Sequence, residues 1–265
     1  MEFRNQGRPF SDDGMSRTCD ALGVDSPALW AILTVETAGF GFFEDRRPRI
    51  LFERHFFHRL TKGRFDAGNP DISSKTPGGY LVGTREYSRL EKALALDEDA
   101  ALKSASWGVG QVMGANHLVA GFASVQAMVD EMVRDENAQL LAVAKFIKGN
   151  RFDGALRRGD WTAFARGYNG TGFKKNQYDL RLAAAHAKYL TLEPNLKLRT
   201  AQAALSYLGL APGAIDGLQG RFTRAALIAF QTRAGLATSG NLDRVTESKL
   251  LAAAFPASAS AAPAS

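Results

Sequence analysis

Hydrophobic positions spaced three and four residues apart recur along most of the chain and predict a mainly α-helical protein. One short apolar run, residues 50–53, indicates a buried strand or extended segment instead. The stretches before residue 191 that we expect to form helices are 16–22, 26–38, 55–60, 84–94, 97–104, 124–149, 160–169 and 176–190.

The helical pattern is interrupted at residues 191–195, a short break that contains Pro194. Three shorter periodic segments follow, separated by turns that carry glycine, and they predict a small three-helix module. We therefore expect two domains, residues 1–192 and 196–253. Residues 254–265 are predicted to be a disordered tail, because the chain there is dominated by Ala, Ser and Pro.

Glu36 stands out within the second predicted helix. Ser26 is the expected cap, a first-turn proline follows it, and Gly39 is a natural stop. Glu36 falls at helical spacing from Leu29 and Ile32, so it lies on the apolar face. A carboxylate there is costly unless it is paired or protonated, and a raised pKa suits a general acid. A core-helix carboxylate turned to solvent or to an arginine is the alternative interpretation.

Two segments break the helical pattern. Residues 106–114 carry three glycines together with Trp107 and Gln111, which indicates backbone packed closely against a neighbour. Residues 62–79 are rich in Gly, Asn, Pro, Asp and Ser, and a loop this long within a compact domain is often functional.

Composition and charge exclude several classes of function. The net charge of +6 favours anionic partners, but the chain has no zinc-finger spacing and no phosphate-binding loop. The single cysteine, Cys19, excludes an intrachain disulfide and is expected to be inert. His55 and His58 have no third metal ligand nearby, so we expect no metal site and no cofactor.

Three separated motifs then point to one family. Glu-Thr-Ala-Gly at residues 36–39, Gly-Val-Gly-Gln-Val-Met-Gly at 108–114 and Ala-Arg-Gly-Tyr-Asn-Gly-Thr-Gly at 165–172 resemble, in this order, the motifs of the goose-type lysozyme and lytic transglycosylase superfamily. Residues 47–55 resemble the N-acetylmuramidase domain of phage endolysins. The resemblance covers about residues 15–190 and implies a lysozyme-like α domain with few short β-strands.

The C-terminal module resembles the peptidoglycan-binding domain of cell-wall hydrolases. Asp216, Gly217, Gly220 and Thr223 keep the order of that family's Asp-Gly-x-x-Gly-x-x-Thr motif. The resemblance implies a three-helix domain that holds the enzyme on its polymer, with Asp216 and Gly217 as candidate binding residues. Such tethering raises the local enzyme concentration without adding to the chemistry.

The resemblance implies hydrolysis of the β-1,4 bond between N-acetylmuramic acid and N-acetylglucosamine in peptidoglycan, with Glu36 as the general acid. The alternative enzyme is a lytic transglycosylase, in which the same glutamate acts as acid and then as base. A third possibility is a wall-binding or virion structural protein without catalytic activity.

Glu53 is the candidate second carboxylate, which would activate the attacking water. In an inverting reaction the two carboxyl groups lie about 6.5–9.5 Å apart. Glu44 and Asp45 are rivals, because they follow the helix that carries the acid. The alternative role for Glu53 is a salt bridge with Arg47 or Arg54.

The remaining motif residues are expected to bind the sugar. Gln111, Tyr168 and Asn169 would orient the sugar and its N-acetyl group, although core packing is an alternative for Tyr168. Three further aromatic residues are candidates. Trp107 would form either the cleft floor or part of the core, and Tyr80 and Tyr87 would line the sugar groove.

The expected partner is the glycan strand of bacterial peptidoglycan. We expect a monomer without nucleic-acid binding or stable membrane insertion. Residues 1–15 lack the apolar core of a signal peptide. The resemblance then implies synthesis in the host cytoplasm and action on the wall in the periplasm, after a separate protein opens the membrane.

Overall fold

The computed structural model describes residues 2–256, and the chain divides into two compact units, Met1–Glu193 and Pro194–Ser265. The first unit is mainly helical with one small sheet, and the described part of the second unit consists of three helices. Among the described residues, no helix combines the length and apolar character needed to cross a bilayer.

Ten helices and three strands of the first unit are described, joined by loops and short 3-10 turns. Their bounds are α1 Asp12–Leu22, α2 Ser26–Thr37, β1 Ile50–Phe52, α3 Arg54–Leu60, α4 Glu86–Leu94, α5 Glu98–Lys103, β2 Ala105–Trp107, β3 Val112–Met113, α6 Val125–Arg134, α7 Glu136–Gly149, α8 Asp153–Arg157, α9 Trp161–Asn169 and α10 Tyr178–Tyr189.

Helix α2 runs through the core of the first unit. The cap is Asp25 rather than the predicted Ser26, because the Asp25 side chain accepts the N–H of Ala28. Ala38 adopts the left-handed conformation at the other end and stops the helix one residue before Gly39. The helix is buried on most sides, so the predicted apolar stripe is only part of a larger apolar surface.

The prediction of one long helix over residues 124–149 is wrong in one respect, because the segment forms two helices, α6 and α7, that are separated at Asp135. That residue is extended and its side chain caps α7 by accepting the N–H of Ala138. The hydrophobic spacing continues through the break, so periodicity alone gave no sign of it. The break places Glu136 in the first turn of a new helix.

The three strands form an antiparallel sheet in the order β1-β2-β3. Ile50 pairs with Trp107, and Phe52 pairs with Ala105. Strands β2 and β3 form a hairpin whose turn is residues 108–111. The short strand predicted over residues 50–53 is confirmed, and the glycine-bearing segment proves to be this hairpin.

The second unit contains α11 (Leu196–Tyr207), α12 (Arg221–Arg233) and α13 (Arg244–Ala254) around one apolar core. Ala254 and Phe255 are buried in that core, which corrects the prediction that the disordered tail begins at residue 254. The rest of the predicted tail, residues 257–265, lies outside the described residues.

A buried glutamine holds each inter-helix loop of the second unit. Gln202 accepts the N–H of Gly217 at 2.8 Å and donates to Thr223 at 3.1 Å. Gln231 accepts the N–H of Gly240 at 2.9 Å and donates to Thr246 at 3.1 Å. The two connections therefore use the same device, which satisfies backbone groups that burial would otherwise leave unpaired.

Candidate active site

Glu36 lies in the last turn of α2 and is partly buried. Burial raises the pKa of its carboxyl from 4.5 to about 7, and the amide of Asn169 and the charge of Arg181 oppose that rise. The Asn169 Nδ2 atom donates to Glu36 Oε1 at 2.8 Å. The site therefore holds a carboxylic acid that is substantially protonated near neutral pH.

The hairpin turn is bonded to the helix end beside Glu36. The Thr37 hydroxyl donates to the carbonyl of Val109 at 2.9 Å, and the Tyr168 hydroxyl donates to the carbonyl of Gly110 at 2.6 Å. A side chain at Gly110 would overlap Val143 and press on the Tyr168 hydroxyl. The three motifs thus meet in one place, and glycine is needed where they touch.

The side chain of Gln111 braces this turn from within. Its Nε2 atom donates to the carbonyls of Arg49 and Gly108, and its Oε1 atom accepts from Ser106 at 2.7 Å. Gln111 itself has a positive φ of 48°. Both amide donors are used by the protein, so the structure places Gln111 as a residue that shapes the site.

A second glutamine, which the sequence analysis did not single out, holds the other side of the turn. Gln139 is fully buried, accepts the N–H of Val109 at 2.8 Å and donates to the carbonyl of Met132. In the sequence, Gln139 is only one polar residue within a helix of regular hydrophobic spacing, and this pattern is a weak indication of a role at the site.

Tyr168 and Asn169 lie at the end of α9. The Tyr168 ring packs against Phe146 and Phe164, so core packing and site lining are combined in one residue. Burial, with the nearby Glu36, holds the pKa of the Tyr168 hydroxyl well above 10. Asn169 Oδ1 is buried without a hydrogen-bond partner, whereas its Nδ2 atom contacts Glu36.

Two residues near Glu36 were missed by the sequence analysis. Burial raises the pKa of Tyr178, and the charge of Glu36 adds to the rise. Arg181 donates to the carbonyl of Val35 at 3.0 Å and lowers the pKa of Glu36. The two are spaced i, i+3 on α10, and only the packing of α10 against α2 brings them to the site.

Glu53 directly follows β1 and precedes α3. Both of its carboxylate oxygens accept from the Tyr80 hydroxyl, at 3.1 and 3.0 Å, and His55 Nδ1 lies 3.1 Å from Oε2. Neither predicted arginine pairs with it. Arg47 pairs with Asp45 at 2.7 Å, and Arg54 donates to loop carbonyls.

The rivals of Glu53 have different surroundings. Asp45 is bonded to Arg47, whereas Glu44 is exposed to solvent. Tyr80 is 48% exposed, and partial burial, followed by its contact with Glu53, raises the pKa of its hydroxyl to about 12. Glu53 and Tyr80 therefore form a polar pair at the surface, next to the long loop.

Two of the three candidate aromatic residues lie in the core. Trp107 is 0% exposed, and its indole N–H donates to the carbonyl of Leu102. Tyr87 is also buried and donates to the carbonyl of Pro48. Because neither ring reaches the surface, neither can stack on a sugar. Of the two alternatives for Trp107, the structure selects the core, and the groove role predicted for Tyr87 is wrong.

The long loop is tied to the sheet by buried charges. Arg89 donates to the carbonyls of Asp71 and Phe52 and pairs with Glu86 at 2.9 Å. Glu86 in turn accepts the N–H of Phe52 and of Leu81. These bonds fix the loop beside β1 and hence beside Glu53.

Asp216 and Gly217 shape a loop of the second unit. Asp216 Oδ1 accepts the N–H of Leu218 at 3.0 Å, and Gly217 is buried at a φ of 75°. Their contact with the wall stays a prediction. The same unit has a cavity of about 420 Å³, lined mainly by apolar residues with two basic ones: Leu208, Phe230, Arg233, Ala234, Lys249, Ala252 and Ala253.

Cys19 is buried, and burial raises the pKa of its thiol to about 11, which makes it a poor nucleophile as predicted. Across the described part of the chain, no group of three His, Cys, Asp or Glu side chains is arranged to hold a metal ion.

Comparisons with known proteins identify the families to which the two parts of the chain are similar. Residues 25–190 match the family model of N-acetylmuramidase, and residues 195–250 match the model described as "Putative peptidoglycan binding domain". The crystal structure of an endolysin from the Burkholderia phage AP3 is similar, with 35% sequence identity and a TM-score of 0.64 over 71% of this chain and 74% of that one. Curated proteins gave no match. The chain belongs to the N-acetylmuramidase family of peptidoglycan-hydrolysing glycosidases and carries a C-terminal peptidoglycan-binding domain.

Proposed function

We propose that this enzyme is a phage endolysin that cleaves the β-1,4 bond between N-acetylmuramic acid and N-acetylglucosamine and lyses the host cell. The observation that carries the proposal is Glu36, a partly buried carboxyl with a pKa of about 7 at the junction of the three motifs. The similar phage AP3 structure is that of an endolysin, which supports the same role here.

Glu36 acts as the general acid. Its proton moves to the glycosidic oxygen as the bond from that oxygen to the anomeric carbon breaks, so the leaving sugar departs as a neutral alcohol. The carboxylate that remains is stabilised by the Asn169 amide and by the charge of Arg181. These two groups favour the product state of the proton transfer over the reactant state.

Glu53 is proposed as the second carboxylate. It would take a proton from the water that attacks the anomeric carbon, as an inverting mechanism requires. The Tyr80 hydroxyl orients its two oxygens, His55 Nδ1 lies 3.1 Å from Oε2, and a hydrogen bond from its N–H to the carbonyl of Ser104 fixes its backbone. The exposed face of Tyr80 supplies an aromatic surface for a sugar ring.

Asn169, Tyr168 and Gln111 are proposed to form the sugar-binding wall around Glu36. Asn169 has the clearest direct role, because its buried Oδ1 atom is free to accept a hydrogen bond from the sugar or from its N-acetyl N–H. Gln111 and Tyr168 hold the turn that faces the substrate.

The second unit is proposed to hold the enzyme on the wall, with Asp216 and Gly217 shaping its binding loop. We propose that the protein acts as a monomer on glycan strands, is made in the host cytoplasm and works in the periplasm. We propose no nucleic-acid partner and no membrane insertion.

The products of the reaction test the proposal. Purified sacculi are digested, and the released fragments are analysed by mass spectrometry. Hydrolysis gives muramic acid with a free reducing end, which carries one water more than a 1,6-anhydro end. Reducing ends are expected throughout, and exclusively 1,6-anhydro ends would identify a lytic transglycosylase.

A further inference from the structure

One face of α3 carries a row of basic side chains. His55, His58 and Arg59 are spaced i, i+3, i+4, which places them on the same face of the helix, and Lys62 follows two residues after the helix ends at Leu60. With Lys75 from the long loop they line a cavity of about 550 Å³. All five lining residues are basic or carry an imidazole, so the cavity is chemically uniform.

His58 is fixed in orientation by its neighbours. Its Nδ1 atom lies 2.8 Å from Asp66 Oδ2, and the hydroxyl of Ser73 donates to the same carboxylate at 2.5 Å. These bonds, with the charges of His58 and Lys75, lower the pKa of Asp66. Because Nδ1 is held by Asp66, the opposite nitrogen of the ring remains for a ligand.

Lys75 is brought to the cavity by side-chain hydrogen bonds that hold the loop on either side of it. Ser73 is tied to Asp66, and Arg54 donates to the carbonyls of Thr76 and Pro77 at 2.8 and 3.2 Å. The loop that carries Lys75 is therefore positioned before any ligand arrives, which reduces the ordering cost of binding.

The charge of this cavity is positive. Arg59, Lys62 and Lys75 contribute three permanent charges, against which Asp66 supplies one negative charge shared with His58. His55, which also lines the cavity, lies 3.1 Å from Glu53. The cavity is thus adjacent to the proposed second carboxylate, where substrate would pass.

We propose that this basic pocket (His55, His58, Arg59, Lys62 and Lys75) binds an oxyanion of the cell wall, in first place a carboxylate of the peptide attached to the glycan strand. The inference rests on the proposed function, since it assigns the pocket to the substrate of the same site. A phosphate of a wall-attached polymer has the same chemistry and is a second source of the anion.

Binding of such an anion makes the enzyme prefer strands that carry their peptides. Glycan strands are prepared from one batch of sacculi with the peptides intact or removed by an amidase, and the release of reducing ends gives kcat/KM on each. The full-length wild type is expected to prefer the peptide-bearing strands about tenfold, equivalent to about 1.4 kcal/mol.

Paired substitutions distinguish the effect of positive charge in the pocket from the effect of the protein's overall positive charge. Lys62→Gln with Lys75→Gln is expected to reduce the preference to about twofold or less, whereas Lys62→Arg with Lys75→Arg retains most of it. Lys148→Gln with Lys188→Gln removes the same charge from exposed positions on α7 and α10 and is the matched control. An unchanged preference in the glutamine pair would overturn the proposal.

Two further experiments identify the source of the oxyanion and measure anion binding independently of cleavage. If the preference follows the removal of phosphate-bearing polymers instead of peptides, the oxyanion is phosphate. Titration with inorganic phosphate, followed by the imidazole NMR signals of His58, should saturate in the wild type and fail in the glutamine pair. Saturation that is identical in both would refute the pocket. If the wild type cleaves neither kind of strand, the proposed function is refuted. The phosphate titration then still tests whether the pocket binds an anion.

Discussion

Glu36 and Glu136 are two carboxylates of the same unit, close to the same loop, with opposite surroundings. Glu136 is fully buried and accepts the N–H groups of Phe10 and Gly41 at 3.0 and 2.7 Å. Glu36 accepts a hydrogen bond from the side chain of Asn169. Glu136 joins three parts of the chain, whereas Glu36 remains able to transfer a proton.

Helix position reinforces the contrast. Glu136 is the first residue of α7, where the helix dipole favours a negative charge. Glu36 is in the last turn of α2, where the dipole disfavours one and so adds to the effect of burial. A buried carboxylate that accepts backbone N–H groups stabilises the fold. A buried carboxyl without such donors keeps a raised pKa and is suited to proton transfer.

The largest expected effect is on catalysis by the Glu36→Gln variant. Glutamine keeps the shape but has no proton to give, so kcat/KM on purified sacculi should fall about 10³-fold or more. Binding to sacculi, measured by co-sedimentation, should persist. A variant that still clears walls would remove Glu36 from the mechanism.

Glu136→Gln should instead affect folding. One amide oxygen remains an acceptor, but the NH₂ group would face a backbone N–H, and the free energy of unfolding should fall by about 3 kcal/mol. Urea denaturation measures this loss. Equal stability of variant and wild type would contradict the structural role given to Glu136.

Glu53→Gln tests whether the chemistry needs a second carboxylate. As a base for water, Glu53 should contribute about 10²-fold to kcat, and its amide should leave KM nearly unchanged. Tyr80→Phe is the matched change, since it removes the hydroxyl bonded to Glu53 but keeps the ring. Full activity of Glu53→Gln would leave Glu36 acting alone.

The difference in stability between the wild type and Glu36→Gln should depend on pH. In the folded state Glu36 keeps its proton up to about pH 7, whereas the unfolded chain loses it near pH 4.5. The wild type therefore loses stability as pH rises between these values, and the variant does not. Allowing for partial exposure, the variant should gain about 2 kcal/mol relative to wild type between pH 4.5 and 8. A pH-independent difference in urea denaturation would contradict the raised pKa.

The smallest expected effect is a shift of the pH profile by Asn169→Ala. The Asn169 bond lowers the pKa of Glu36, so its removal should move the alkaline limb of kcat/KM upward by about one pH unit. Because the general acid must be protonated, activity of the wild type should fall above about pH 7. An unmoved limb would mean that Asn169 does not bond Glu36 in solution.

Much of the fold followed from periodicity, because most helices present an apolar face to one core. The break at Asp135 did not, since the hydrophobic spacing continues through it and only an extended backbone at one residue separates α6 from α7. Ala254 and Phe255 were assigned to the tail because Ala and Ser surround them, although tertiary packing buries both.

The site was predicted only where local sequence carries the chemistry. Glu36 and Asn169 belong to motifs and meet at 2.8 Å. Trp107 was ambiguous, because an aromatic residue beside glycines has the same local pattern in a core as in a groove. Tyr178 and Arg181 have no motif, and they reach Glu36 only through the packing of α10 on α2.

The most direct test of the account is a titration of the Glu36 carboxyl itself. The side-chain carboxyl carbon is followed by ¹³C NMR from pH 3 to 9 in the full-length protein, with Glu36→Gln identifying the resonance. If burial raises the pKa of Glu36 as the structure indicates, the midpoint lies at about 7. A midpoint near 4.5 would show that Glu36 is an ordinary ionised carboxylate at neutral pH and would contradict its role as the general acid.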